Sequence, residues 1–178
     1  MKQYGFTIIE LIIVLTIITL IFSFASPSYR FIINQFRIQS DVSNLLMMIR
    51  MTRQHAVVNM ATTVLCPTSD DSQCTRNWKL PLIQFVDKNK NKKRDPEEAI
   101  EKRFKAFDGD DVFIKYPKTQ IRFNEYGMAN FYNGTVGYCL DEHMTGIVIS
   151  RLGRIRFAQD IDEDEIPDVN ATTQVSCK

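Results

Sequence analysis

Three kinds of residue cluster in this chain could do chemistry: oxygen-rich runs, basic runs and cysteines. Asp87, Asn89, Asn91, Asp95 and Glu98 occupy positions 1, 3, 5, 9 and 12 of a loop with the spacing of an EF-hand. Position 6, where a glycine makes the sharp turn, is Lys92. Lys88, Lys90, Lys92, Lys93 and Arg94 crowd the same stretch and would repel a dication. The expectation is therefore a polar β-hairpin loop. Asp160, Asp162, Asp164 and Asp168 form a second oxygen-rich run. Its carboxylate density suits a hard cation such as calcium better, against the simpler reading of a solvated acidic loop. No metal or other cofactor is assigned.

The basic stretches are two. Lys88–Arg94 should lie at an exposed hairpin tip. Arg151, Arg154 and Arg156 form the other group, with Gly153 between them. In an extended strand Arg154 and Arg156 share one face, about 7 Å apart, near the phosphate spacing of one nucleic-acid strand. Tyr126, Tyr132 and Tyr138 could add stacking, but the sequence does not place them near the arginines. A solvent-facing strand edge, protected by its charges, is the plainer account of the pair. Formal net charge is only +1, so any case for a polyanion rests on local patches.

Cys66, Cys74, Cys139 and Cys177 allow three disulfide connectivities. The short Cys66–Cys74 loop with a Cys139–Cys177 closure is the expected one, in an oxidising compartment such as a bacterial periplasm. The spacing of Cys66 and Cys74 and the lack of a nearby histidine argue against zinc. With two histidines and no nucleophile–base cluster, the expectation is a protein that is not an enzyme.

These groups need elements to position them. From Phe6 to Ala25 the chain is apolar apart from Glu10 and a few hydroxyls. As an α-helix this run spans about 30 Å, the thickness of a bilayer core. Pro27 predicts a kink or a local break. Beyond it Ile38, Val42, Leu45, Ile49, Thr52 and Ala56 recur at helical steps of three and four, the face of an amphipathic helix packed under a C-terminal domain. Arg30, Arg37, Arg50 and Arg53 read as its solvated surface, and His55 as a boundary residue. After about Val58 short β-type runs follow: 63–66, 82–86, 100–107, 112–116, 120–124, 136–140, 145–150 and 154–158. Several alternate in polarity, as half-buried antiparallel strands do. Asp108-Gly109 and Asn133-Gly134 read as turns.

Gly5-Phe6-Thr7-Ile8-Ile9-Glu10-Leu11-Ile12 resembles the type IV prepilin signal. The resemblance implies that a prepilin peptidase cuts between Gly5 and Phe6 and that Phe6 is N-methylated. It also implies a single-pass helix held in the bacterial inner membrane before assembly with other pilins, with Glu10 aligning the incoming subunit. A carboxylate in hydrocarbon costs on the order of 2.5–3.5 kcal/mol, and a neighbour's N-terminal ammonium would offset it. Cys66-Pro67-Thr68-Ser69…Cys74, Asn77-Trp78, Phe85-Val86-Asp87-Lys88-Asn89 and Gly153-Arg154-Ile155-Arg156 resemble the GspH/FimT group of minor pilins and pseudopilins. The glycine that often follows Asp-x-Asn there is absent, and Lys92 and Lys93 stand in its place.

That resemblance implies an α+β type IV pilin fold, a long N-terminal helix carrying an antiparallel β-sheet domain. The expected division is 1–5 cleaved leader, 6–26 transmembrane or filament-core helix, 27–60 amphipathic half, and 61–178 periplasmic or extracellular β-domain. The function implied is that of a minor pilin in a type IV pilus. Arg151, Gly153, Arg154 and Arg156 would bind double-stranded DNA non-specifically for uptake in natural transformation. The alternative is a minor pseudopilin of type II secretion with a purely structural role.

Overall fold

The computed structural model describes residues 7–109, 111–141, 143–164 and 166–176, without the side chains of residues 22–31. Helix α1 runs Ile8–Val58. Its start is a reciprocal capping box. The Thr7 N–H donates to the Glu10 carboxylate at 2.9 Å, and the Glu10 N–H donates to Thr7 Oγ1 at 3.3 Å. The local break expected at Pro27 is not there, since the α-helix is uninterrupted. A proline removes one backbone bond, and the turns on either side keep theirs. The end is a Schellman motif: Ala61 N–H donates to the Ala56 carbonyl and Met60 N–H to that of Val57, with Met60 at φ 46°.

The chain divides into two compact units, Met1–Arg37 and Ile38–Lys178. In the first, every described side chain from Thr7 to Ile21 is exposed. Over those residues the helix presents an exposed, largely apolar surface. Among the described residues no helix is long and apolar enough to cross a membrane; the side chains described there stop at Ile21, short of the apolar run that the sequence continues to Ala25.

In the second unit the helical stripe Ile38, Val42, Leu45, Ile49, Thr52 and Ala56 is buried throughout. It packs in one core with Leu65, Trp78, Phe123, Val136, Tyr138 and Ile147. Among the described residues ten strands follow α1: β1 Thr63–Pro67, β2 Leu82–Val86, β3 Ile100–Phe104, β4 Val112–Lys115, β5 Ile121–Phe123, β6 Gly134–Leu140, β7 His143–Ile149, β8 Ile155–Phe157, β9 Asp168–Asn170 and β10 Thr173–Gln174. They form two four-stranded antiparallel sheets, β3-β2-β1-β5 and β4-β6-β7-β8, and a β9-β10 ribbon.

β1 is buried at every position instead of alternating. Leu65 faces the main core, while Val64 and Cys66 join Ile83 and Phe85 in a second cluster on the other face, beside Cys74 and Ile100. Cys74 is held at that face by its disulfide to Cys66. Cys139 is also disulfide-bonded; Cys177, its expected partner, lies outside the described residues. β9 and β10 lie within or after the stretch that reads as an acidic loop. They form because Asp168 and Gln159 exchange backbone bonds and Val175 buries its side chain.

Candidate functional site

The last two turns of α1, the turn 124–128 and the β7–β8 turn enclose a cleft of about 750 Å³. Arg50, Arg53 and Gln54 line it from the helix, Tyr126 from the first turn and Arg154 from the second. The turn at 124–128 is built by Asn124, whose Oδ1 accepts the N–H groups of Tyr126 (3.1 Å) and Met128 (2.9 Å). Its own carbonyl accepts the Gly127 N–H at 2.8 Å. Asparagine side chains stabilise turns in this way, and Tyr126 is left 73% exposed at the rim.

The β7–β8 turn closes through Gly153 N–H to the Ser150 carbonyl (2.9 Å) and Arg154 N–H to Ser150 Oγ (3.0 Å). Two bonds latch it to the neighbouring segment, from the N–H groups of Ala129 and Asn130 to the Arg151 carbonyl, both 3.0 Å. Arg53 Nε donates to the Gly127 carbonyl at 3.0 Å, tying the helix to the first turn. Arg53 is thus half-buried and bonded, not part of a freely solvated surface. Arg50 is exposed. The Arg30 side chain is not among those described.

The four residues expected to bind DNA therefore separate. Arg154 precedes β8 and lines the cleft. Arg156 lies in β8, and its guanidinium donates to the carbonyls of Phe157 (3.0 Å) and Val169 (2.6 Å), fastening β8 to β9. The two do not act as a pair, because Arg154 lines the cleft while the Arg156 guanidinium is taken up by main-chain carbonyls. Arg151 is exposed on the turn. Gly153 sits at φ +80°, and a Cβ there would lie 1.8 Å from the Gly127 carbonyl oxygen and 2.9 Å from Arg53 Nε. Its close approach is thus to the protein's own backbone, where a polyanion was expected. Of the tyrosines, Tyr126 reaches the cleft. Tyr138 is buried and donates to Asp41. Tyr132 lies under Lys118 and Arg122.

The loop at 87–98 is a polar connection between β2 and β3 that closes on its own bonds. Asn89 and Asn91 donate to Asp95, and Glu98 accepts from the N–H groups of Lys88 and Asp95. Asp87 accepts from the N–H groups of Asn91 and Lys92 and pairs with Arg122 at 2.7 Å. Two of the loop's cations are also engaged: Arg94 donates to the Asp71 carbonyl and Lys90 pairs with Glu125 at 3.5 Å.

In the acidic run, carboxylate oxygens of Asp160, Asp162 and Asp168 lie within 4.8 Å of one another. Desolvation, then the charges of Asp164 and Asp168, push the Asp162 carboxyl upward. Asp164 itself accepts from Ile166 N–H and from Gln174. Asp168 is buried and accepts the Ile161 N–H at 2.8 Å. His55 lies 3.3 Å from Thr63 Oγ1 and 3.7 Å from Glu101, at the boundary of the core. Gly5 and Phe6 lie outside the described residues.

Sequence reasoning found Arg154 but missed Arg50 and Tyr126 as its neighbours, which are remote from it in the chain and carry no shared motif. Comparison with known proteins agrees with the fold. Residues 41–153 match the family model described as type II transport protein GspH, and residues 1–26 match the prokaryotic N-terminal methylation motif. No curated protein matches the chain. Two crystal structures of the Pseudomonas aeruginosa type IV minor pilin FimU are similar. One has 17% identity and a TM-score of 0.51 over 68% of this chain and 87% of that one. The other has 18% identity and a TM-score of 0.48 over 68% and 92%. A helix with antiparallel sheets, an N-terminal methylation motif and a family match across most of the β-domain have one reading: the chain belongs to the GspH family, the GspH/FimT group of type IV minor pilins and pseudopilins.

Proposed function

We propose that this chain is a minor pilin of a type IV pilus that holds DNA non-specifically in its arginine cleft. The observation that carries the reading is the convergence of Arg50, Arg53 and Arg154 on one cleft. An arginine fork donates two hydrogen bonds to one phosphate. Contacts to phosphate carry no base information, so binding is independent of sequence, as uptake of arbitrary DNA requires. With few phosphates engaged, affinity per subunit is modest and falls steeply with salt.

Delivery to the filament rests on the other end of the chain. Cleavage between Gly5 and Phe6 and methylation of Phe6 would release a subunit whose exposed apolar helix packs among neighbouring pilins. Glu10 would meet a neighbour's N-terminal ammonium, and the inner membrane would hold the subunit beforehand. The test is a titration of the full chain in detergent with labelled duplex DNA at low and physiological salt. Arg50→Gln with Arg154→Gln should abolish binding and leave the circular dichroism unchanged. Binding equal to wild type would remove the DNA reading.

The family model's description as a type II transport protein favours a second reading, a structural pseudopilin of the secretion machinery. A deletion strain separates the two. Loss of DNA uptake with normal secretion supports the first, and loss of secretion with normal uptake supports the second.

A further inference from the structure

Resting on the DNA reading, we propose that the cleft selects unpaired nucleotides, with a strand's phosphates held between Arg50 and Arg154 and a base stacked on Tyr126. The site is a concavity of about 750 Å³, within the roughly 300–1,000 Å³ of pockets that enclose small molecules. A stacked duplex presents its phosphates outward and its bases inward, and cannot lower a base into such a space. An unpaired nucleotide can.

The lining suits one. Arg50 and Arg154 supply charge from opposite elements, the helix and the β7–β8 turn. Arg53, anchored to the Gly127 carbonyl, is a positioning residue that fixes the turn carrying Tyr126. Tyr126 is 73% exposed, and Asn124 Oδ1 holds its turn by accepting the N–H groups of Tyr126 and Met128. Leu152, 76% exposed, adds apolar surface on the β7–β8 turn, and Val57 and Val58 add it on the helix. A large apolar surface beside arginines is poorly used by phosphate alone, whereas a base brings a π-face to it. Glu125, the acidic neighbour of Tyr126, is paired with Lys90 and so adds little repulsion.

The measurement compares three labelled probes on the full chain in detergent: a single strand, a duplex covalently closed at both ends, and that duplex with a single-stranded tail. The single strand and the tailed duplex should bind at least about tenfold tighter than the closed duplex, the range of one base stacked on an aromatic ring. Tyr126→Ala should erase that preference, and Tyr126→Phe should retain it. Arg50→Gln should weaken all three probes and reduce the single-strand salt slope by about 0.7. Equal binding of single strand and closed duplex, or a preference that survives Tyr126→Ala, overturns the inference while the DNA reading stands. Failure of every probe to bind overturns both.

Discussion

A Cβ built on Gly153 would fall 1.8 Å from the carbonyl oxygen of Gly127. The two turns that form the cleft touch at that point, and Arg53 binds the same oxygen from the helix. Gly153 is also at φ +80°, a region that side chains with a Cβ seldom occupy. Gly153→Ala should therefore cost about 2–4 kcal/mol and open the cleft. Urea unfolding of the variant checks it, and a loss below about 0.5 kcal/mol would contradict the contact.

Arg154 and Arg156, two residues apart, should fail differently. Arg154→Gln should weaken DNA binding and leave the melting temperature unchanged. Arg156→Gln removes the bonds to Phe157 and Val169, each worth about 1.5–3 kcal/mol when a charged group donates. Hydrogen exchange should then quicken across β9, with most of the DNA affinity retained. Equal loss of affinity in both variants would restore the paired-arginine reading.

Asp87 is fully buried and 2.7 Å from Arg122. Arg122→Ala leaves a carboxylate in the interior without its cation, at a cost of about 3–5 kcal/mol. The β2–β3 connection should loosen too, because Asp87 also holds the N–H groups of Asn91 and Lys92. Calorimetry and amide exchange at those two positions give the measure.

Asp70 sits inside the loop closed by Cys66 and Cys74. The Ser72 hydroxyl, then the N–H groups of Ser72 and Gln73, hold its carboxyl down to about 2. The unfolded value is about 3.9, so the native state binds the proton less readily than the unfolded one. The stability this contributes is complete above roughly pH 4 and disappears as pH falls through about 2. Carboxyl NMR titration should find the depressed value, and Asp70→Asn should lose that segment of the pH dependence.

Glu10 closes a capping box with Thr7, so its carboxylate has a partner within its own chain as well as the one expected in a filament. Glu10→Gln preserves a capping side chain and removes the charge, whereas Glu10→Ala removes both. If charge pairing between subunits governs assembly, both variants should insert in the membrane and neither should enter pili. Incorporation of the Gln variant at wild-type levels would assign Glu10 to capping alone.

Much of this protein is local in origin and therefore visible in its sequence. The buried stripe from Ile38 to Ala56 follows from helical periodicity, since side chains three and four apart share a face whatever they pack against. Eight of the strands follow from short β-branched and aromatic runs between turn residues, with their ends moved by a few positions. The prepilin signal and the cysteine-and-arginine motifs mark the family, because they are contiguous. The cleft is not contiguous. Arg50 and Arg154 are about a hundred residues apart, and the helix must pack against the sheets before they meet. The diversion of Arg156 to Val169 depends on where the tail folds back, and no pattern around Arg156 announces it. Burial of both faces of β1 likewise waits on tertiary packing, since Val64 and Cys66 are covered only once Ile83 and Phe85 of β2 and the disulfide-held Cys74 come against them. Hydrogen bonds and charges act over a few ångströms in space, so only the packed chain decides which arginines face solvent and which hold the fold.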